Sequence, residues 1–290
     1  MNHDTLWRRL THGVQYGCER ADWRDLAGPD WLDGIMEQEV TDRFHAKQGR
    51  STGRWIVQVD GRRLSVYLKR HYRLGWWRGL FATLLPSLGW SPARQEWDCL
   101  EWARGHGIPV PASVAVGEYV GPWGRLQSCL AVEELAGMLP LHEAIPAAAS
   151  RLGAGAFELW KRGLITEVAR LTRELHRRRR FHKDLYLCHY YVPTIAENGW
   201  PGHVHLIDLH RLAHHPWTWR LWQVKDLAQL AYSSEIVGVT PRDRLHFWRT
   251  YRGETRHSWS TRWLRAAVLV KWRRYRVHNL RKRSHRPAPA

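Results

Sequence analysis

Two carboxylates, Asp184 and Asp208, lie in segments that a fold can hold rigidly. They are Phe181-His182-Lys183-Asp184-Leu185-Tyr186-Leu187-Cys188-His189 and Leu206-Ile207-Asp208-Leu209-His210-Arg211. Apolar neighbours would anchor each segment by burial and leave the acid at a surface. Upstream, Lys69 closes the run Val66-Tyr67-Leu68-Lys69, and Glu96 stands early on a helical stretch as a candidate partner for its ammonium. A cation for nucleotide phosphates, a carboxylate for a hard metal ion and a carboxylate beside an attacking hydroxyl are what phosphoryl transfer requires. That reaction depends on positioning and charge neutralisation more than on covalent help from protein. Each residue also has a plainer reading: Lys69 as a surface hairpin lysine, Glu96 as a solvated helical acid with Glu101 as its competitor, and the two Asp as caps or ion-pair partners. The ordered set is harder to explain that way.

A His-x-Asp loop, a polar residue five positions after that Asp, and a strand ending in a second Asp is the pattern of protein-kinase-like enzymes. The chain departs from it twice. His189 stands where those enzymes carry Asn, and Leu209-His210 replaces Phe-Gly. Both departures point to a distant branch of the fold.

The elements that must position these residues are partly legible. Trp55–Val59 and Leu64–Lys69 read as strands joined at Asp60-Gly61, with Leu64, Val66 and Leu68 on one face and Lys69 on the other. Gly49-Arg50-Ser51-Thr52-Gly53 reads as a turn before them, a sparse version of a phosphate-covering glycine loop. Ser91-Pro92 opens a helix over Ala93–His106, and Ser128–Glu133 reads as a strand. Leu164, Ile165, Val168, Leu171 and Leu175 form a helical stripe that runs into the His182 loop, and Val224, Leu227, Leu230 and Ala231 form another. Strands first and helices later predict an α+β, two-lobed fold with a small β-rich lobe and a larger helical one. The expected divisions are an N-terminal extension over 1–40, a first lobe over 41–136, a second over 137–262 and a basic tail over 263–290.

With 290 residues, 44% of them hydrophobic, and 19 Trp, the chain can bury a sizeable core, so global disorder is not expected. Its formal charge of +18 suits polyanionic partners, either nucleic acid, an anionic membrane or a phosphorylated glycolipid. A non-catalytic, nucleic-acid-binding protein is the alternative of a different class, motivated by interleaved Trp and Arg. Four cysteines without Cys-x-x-Cys spacing point away from structural zinc or a disulfide framework. No run approaches the roughly 20 apolar residues of a membrane span, so the expected location is cytoplasmic or peripheral to the inner membrane.

The sequence resembles the bacterial lipopolysaccharide kinase family, which phosphorylates heptose or Kdo sugars of the inner core. The residues that carry the resemblance are Arg94-Gln95-Glu96-Trp97, Gly107-Ile108-Pro109-Val110-Pro111, Glu133-Glu134-Leu135, the His182–His189 loop, Ile207-Asp208-Leu209-His210-Arg211, Lys225-Asp226-Leu227-Ala228 and Gly238-Val239-Thr240-Pro241-Arg242-Asp243. The resemblance implies ATP and Mg²⁺ as cofactors and a lipopolysaccharide core or other glycolipid sugar as acceptor; it sets nucleic acid aside. It further implies Lys69 on the ATP phosphates with Glu96 as partner, Glu133, Glu134 and Leu135 as the backbone hinge at adenine, and Asp184 as the catalytic residue that meets the acceptor hydroxyl. Asp208 would hold magnesium with His189 at the second metal-side position. His182 and Asp226 would be structural supports. Within that class, an aminoglycoside- or protein-directed kinase is the runner-up.

Two segments bear on the acceptor. Trp77, Leu80, Phe81, Leu84, Leu85 and Leu88 recur at helical spacing, flanked by Arg70, Arg73 and Arg78 and bordered by Trp76 and Trp90, with Pro86 expected to bend the helix. The stripe either rests on a membrane interface or packs on its own lobe. Arg262–Arg286 is strongly basic, and is either a contact for anionic lipid or sugar phosphates or a terminal helix with a solvated cationic face.

Overall fold

The computed structural model describes residues 5–47, 49–86, 89–194, 200, 202–253 and 259–284; for 41–47 and 280–284 it describes the backbone alone. Leu88, the last member of the apolar stripe, and the end of the basic tail past 284 lie outside the described residues. The chain divides into two compact units, Met1–Ala136 and Gly137–Ala290.

Among the described residues, the N-terminal unit is built on a six-stranded antiparallel sheet. In chain order its strands are β1 (Val14–Glu19), β2 (Thr41–Lys47), β3 (Arg50–Val59), β4 (Arg62–His71), β5 (Ser113–Val120) and β6 (Leu126–Glu133), arranged β1-β5-β6-β4-β3-β2. Four helices accompany it: α1 (Leu6–Thr11), α2 (Ala21–Ala27), α3 (Trp31–Gly34) and α4 (Trp76–Leu84); α5 (Pro92–Gly105) follows. Asp60 and Gly61, both at positive φ, make the expected β3–β4 turn. The strands on either side are longer than the pattern suggested, so Arg50–Gly53 is not a loop but the start of β3, with Thr52 opposite Lys69. Gly49, at φ +75°, lies instead in the turn between β2 and β3.

Leu64, Val66 and Leu68 do share one buried face, but their cover comes from the N-terminal segment. Trp23, Leu26, Trp31 and Ile35 pack there with Val57, Val114 and Ala131. The described residues up to 40, set apart as an extension by sequence, therefore supply both an edge strand and four of the buried residues of this core. Trp23 meets Trp31 and Trp55 edge-on at centroid distances of 6.0 and 5.5 Å. Arg70, on the same face of β4, is buried with its guanidinium on the carbonyls of Ile35, Met36 and Gln38. It tethers the segment that covers the sheet.

The C-terminal unit is mostly helical: α6 (Leu141–Arg151), α7 (Ala154–Arg177), α8 (Trp219–Ser233), α9 (Pro241–Arg252) and α10 (Trp259–Ser284). Trp160, Leu164, Val168, Leu171 and Leu175 are buried along α7. Thr240 and Asp243 close a reciprocal capping box at the start of α9, which accounts for the Thr-Pro-x-Asp signature there. The basic tail is a continuation of α10, whose Leu264 and Val268 join Leu227, Ala228 and Tyr251 in a common core. Short strands thread between α7 and α8: β8 (Arg180–Phe181), β9 (Tyr190–Pro193), β10 (His205–Leu206) and β11 (Ala213–His214). β8 pairs with β11, and β9 lies between β10 and β7 (Met138–Pro140). These pairings bring the two acidic loops together.

Candidate active site

In the N-terminal unit, Lys69 leaves β4 on the face opposite Leu68, and its Nζ donates to Glu96 Oε1 at 2.6 Å. Ser91 caps α5 through its side chain and Pro92 follows at the first turn, a start that fixes the register. That register turns Ala93, Glu96, Trp97 and Leu100 inward, so Glu96 is nearly fully buried beside the lysine. Glu101, the competing candidate, accepts from Ser113 and pairs with Arg104, so it is not the partner. At the end of β6, the amides of Glu133 and Glu134 donate to the carbonyls of Ala112 and Ser65 at 2.8 and 2.9 Å. Their carboxylates pair with Arg20 and Arg54 at 2.7 Å each. Of the three hinge candidates, Leu135 is the one whose amide is not committed to the sheet.

In the C-terminal unit, the loop carrying Asp184 is shaped by one face of α8. The Asp226 carboxylate is fully buried and accepts from the amides of His182 and Lys183, both at 2.9 Å. Gln229 accepts from the Leu185 amide at 3.3 Å and Ser233 from the Leu187 amide at 3.0 Å. Side chains at i, i+3 and i+7 of a helix thus satisfy four backbone donors that no strand ladder reaches. His182 is buried and its Nε2–H donates to the Ile207 carbonyl at 3.0 Å, which ties the Asp184 loop to the residue before Asp208. Burial pushes its imidazole below the usual value of 6.5.

The acids themselves converge. Asp184 Oδ2 accepts from Arg211 Nη1 at 2.5 Å, and Arg211 belongs to the same tight turn as Asp208. Asp184 Oδ1 is held at longer range, with Gln229 Nε2 at 3.5 Å and Lys225 Nζ at 3.9 Å. Burial pushes the Lys225 ammonium down, while the Asp184 charge raises it. Asp208 adopts φ +62°, ψ +51°, a left-handed conformation that costs a non-glycine residue about 1–2 kcal/mol. Its Oδ1 is 2.7 Å from His210 Nδ1.

His189 bridges the two loops. Its Nδ1 lies 2.6 Å from the Asp184 carbonyl, which can only accept, so Nδ1 carries the proton. In the neutral ring, Nε2 then offers a lone pair toward Asp208 Oδ2, 3.7 Å away. Two electron-pair donors facing across such a gap suit a cation between them. Among the described residues, no group of three or more His, Cys, Asp and Glu could hold a metal ion alone. Mg²⁺ does not require one, since it keeps waters and takes one or two carboxylates together with substrate phosphates. The donor set fits that mode of binding.

Sequence reasoning quoted Arg211 and Lys225 within motifs but gave them no role, and it missed Gln229 and Ser233. The available signal was polar: Asp226, Gln229 and Ser233 recur on α8 at the spacing of its apolar residues, and a helix with a buried polar stripe is supporting something.

A lysine held by a buried helical glutamate on an antiparallel sheet, and a braced His-x-Asp loop joined through one histidine to a second aspartate, define a kinase-like phosphotransferase. The chain belongs to the lipopolysaccharide kinase (Kdo/WaaP) family, whose model matches residues 36–251. It is similar to lipopolysaccharide core heptose(I) kinase WaaP of Pseudomonas aeruginosa, at 34% identity over 215 residues that cover 72% of this chain and 75% of that protein. It also resembles the enzyme of that name from Escherichia coli, at 30% over 194 residues, or 63% and 70%. Among solved structures, WaaP in complex with acyl carrier protein superposes with a TM-score of 0.64 at 26% identity, covering 89% of this chain and 99% of that one. The chain is thus a kinase, a phosphotransferase with an alcohol group as acceptor, in a two-lobed α+β fold. Membership of a kinase family implies the use of ATP. Among the described residues, no helix is long and apolar enough to cross a membrane.

Proposed function

We propose that this kinase transfers the γ-phosphoryl group of ATP to a hydroxyl of an inner-core sugar of lipopolysaccharide, with heptose as the acceptor. The observation that carries the reading is the junction of the two acidic loops: His189 reaches from the Asp184 carbonyl toward Asp208, while Arg211 returns from the Asp208 turn to Asp184. Heptose is favoured because the relatives that cover most of the chain are heptose(I) kinases.

Each residue has a defined task in this reading. Lys69 neutralises nucleotide phosphates, and Glu96 fixes its ammonium so that little rotamer freedom is lost on binding. The Leu135 amide is the hinge group for the adenine edge, with Glu133 and Glu134 pinned beside it. Asp184 has committed Oδ2 to Arg211, so Oδ1 receives the hydrogen bond of the acceptor hydroxyl and aims its oxygen. Arg211 and Lys225 place positive charge beside that oxygen, where negative charge develops. Asp208 and His189 would hold Mg²⁺, which when bound neutralises phosphate charge. The acceptor is part of a glycolipid, so the enzyme works peripherally at the inner membrane. The complex of the solved relative with acyl carrier protein extends the proposal to that protein as a partner, with the +18 charge favouring an acidic protein.

The test is ATP turnover with purified lipopolysaccharide core. Asp184→Ala should lower phosphorylation by at least about a thousandfold, and Asp208→Asn should abolish thermal stabilisation by Mg²⁺-ATP. Full turnover by the first variant removes Asp184 from the reaction, and unchanged stabilisation of the second removes the metal assignment.

A further inference from the structure

Helix α4 is built inside out. Its buried positions are Gly79, Ala82 and Thr83, while Trp76, Trp77, Phe81 and Leu84 are exposed, with Leu85 just beyond. A helix whose apolar stripe serves its own core does the reverse. The small inner face has a cause. Gly79 lies against the Gly124 backbone so closely that a Cβ there would come within 1.6 Å of the Gly124 oxygen. That contact presses α4 onto the β5–β6 turn and turns Trp76, Trp77, Phe81 and Leu84 outward, with Leu80 half-buried. The helix ends before Pro86 and is not bent by it.

Two neighbours extend the face. α1 packs against α4 and exposes Leu6 and Trp7. The β5–β6 turn, joined to α1 by a 3.1 Å bond from the Trp123 amide to the Leu10 carbonyl, exposes Trp123. Trp7, Trp76, Trp77 and Trp123 are each 57–72% exposed. Together they present on the order of 600 Å² of aromatic surface, at or above the largest apolar patch of an ordinary monomer. Phe81 stacks on Trp90 at 5.0 Å beside them.

The charge around this face is of one sign. Residues 5–13, 72–90 and 121–126 contain no Asp or Glu, whereas Arg73, Arg78 and Arg125 are exposed and Arg8 is half-buried. Arg70, grouped with them by sequence, is turned into the core. Tryptophan and leucine ringed by arginine is the composition of a surface that enters the headgroup layer of an anionic bilayer, where indoles prefer the interface and guanidinium groups meet lipid phosphates. We propose that this three-part face docks the enzyme on an anionic membrane surface. The proposal deepens the kinase reading by naming the surface that brings the enzyme to its lipid-linked acceptor, and it rests on that reading for its purpose only.

Flotation of the full chain with vesicles tests it without nucleotide or acceptor. Vesicles of equal parts phosphatidylcholine and phosphatidylglycerol should carry at least about tenfold more protein than pure phosphatidylcholine at low salt. Trp77→Glu with Phe81→Glu should lower binding to anionic vesicles at least about tenfold. Arg73→Glu with Arg78→Glu should remove the preference for anionic lipid. All four positions are exposed, so the variants should stay folded, with Phe81→Glu losing only its stacking on Trp90, and phosphorylation of delipidated core oligosaccharide should be unchanged. Wild-type protein that does not float, or a Trp77/Phe81 variant that floats like wild type, overturns the proposal. Loss of acyl carrier protein binding in these variants, with vesicle binding unaffected, assigns the face to an acidic protein and also overturns it. Failure of the kinase reading would appear instead as wild-type protein inactive on the oligosaccharide.

Discussion

Asp226→Asn changes one buried atom and should unsettle the catalytic loop. Asp226 accepts from the His182 and Lys183 amides at 2.9 Å each, one on each oxygen. An asparagine keeps one oxygen and turns an NH₂ toward the other amide, so one charge-assisted bond is lost and one buried donor is left without an acceptor. A hydrogen bond to a charged group contributes about 1.5–3 kcal/mol, and an unsatisfied buried donor costs about 1–3 kcal/mol. The two effects overlap, and about 3 kcal/mol is expected. For a unit of this size, that corresponds to a fall in Tm of about 6–12 °C. The two amides frame the backbone immediately before Asp184, so the reacting carboxylate should shift as well, and a misplacement of about 1 Å costs roughly a hundredfold in kcat. Thermal melts and steady-state turnover on core oligosaccharide read both effects. A variant that melts within about 2 °C of wild type and turns over at a comparable rate would refute the reasoning, because the loop would then hold its shape without this carboxylate.

Lys69→Met leaves the buried Glu96 carboxylate without this partner and should cost about 2–3 kcal/mol of stability, at the low end for a broken buried pair because Lys69 is partly exposed. Adding Glu96→Gln removes the stranded charge and should recover most of that loss while activity stays absent; urea unfolding of both variants checks it, and strictly additive losses would count against a coupled pair. His182 gives a pH dependence with a definite sign. Burial depresses its folded pKa below 6.5, so the unfolded chain takes up the proton first as the medium acidifies. Its stabilising effect is complete above 6.5 and declines below that, by about 1.4 kcal/mol per pH unit until the folded value is reached. His205 and His215, also depressed by burial, add to the slope. His182→Gln should flatten the profile of urea midpoints between pH 7.5 and 5.5, and an unchanged slope would exclude this histidine as a contributor.

The parts of the fold legible in sequence were those with a local cause. Asp60-Gly61 fixes a hairpin, Ser91-Pro92 starts a helix, and Leu164 to Leu175 repeat with the period of the buried face they form. The order of candidate residues was legible too, because Lys69, Glu96, Asp184 and Asp208 each sit at an element whose type the pattern reveals. Strand β5 escaped notice: Ser113–Val120 contains Gly117, and seven of its eight residues are buried, so it lacks the alternation of a half-exposed strand. Helix α6 was obscured by its internal Pro146. The sources of support were hidden for a deeper reason. Arg211 and Lys225 reach Asp184 through the pairing of short strands and the docking of α8, contacts whose sequence separation leaves no local trace. The outward turn of Trp76 and Trp77 depends on how closely two glycines, Gly79 and Gly124, approach each other.

The tryptophans of the first forty residues carry a warning for anyone trimming this enzyme. The match to the family model begins at residue 36, and a shortened gene starting there would keep all of it. It would nevertheless discard Trp23, Leu26, Trp31 and Ile35, and would leave Val57, Leu64, Val66 and Leu68 as a bare greasy wall on a sheet that had also lost an edge strand. Such a product would clump before its chemistry could be measured. Here the limits of the family match and the limits of a foldable piece fall in different places.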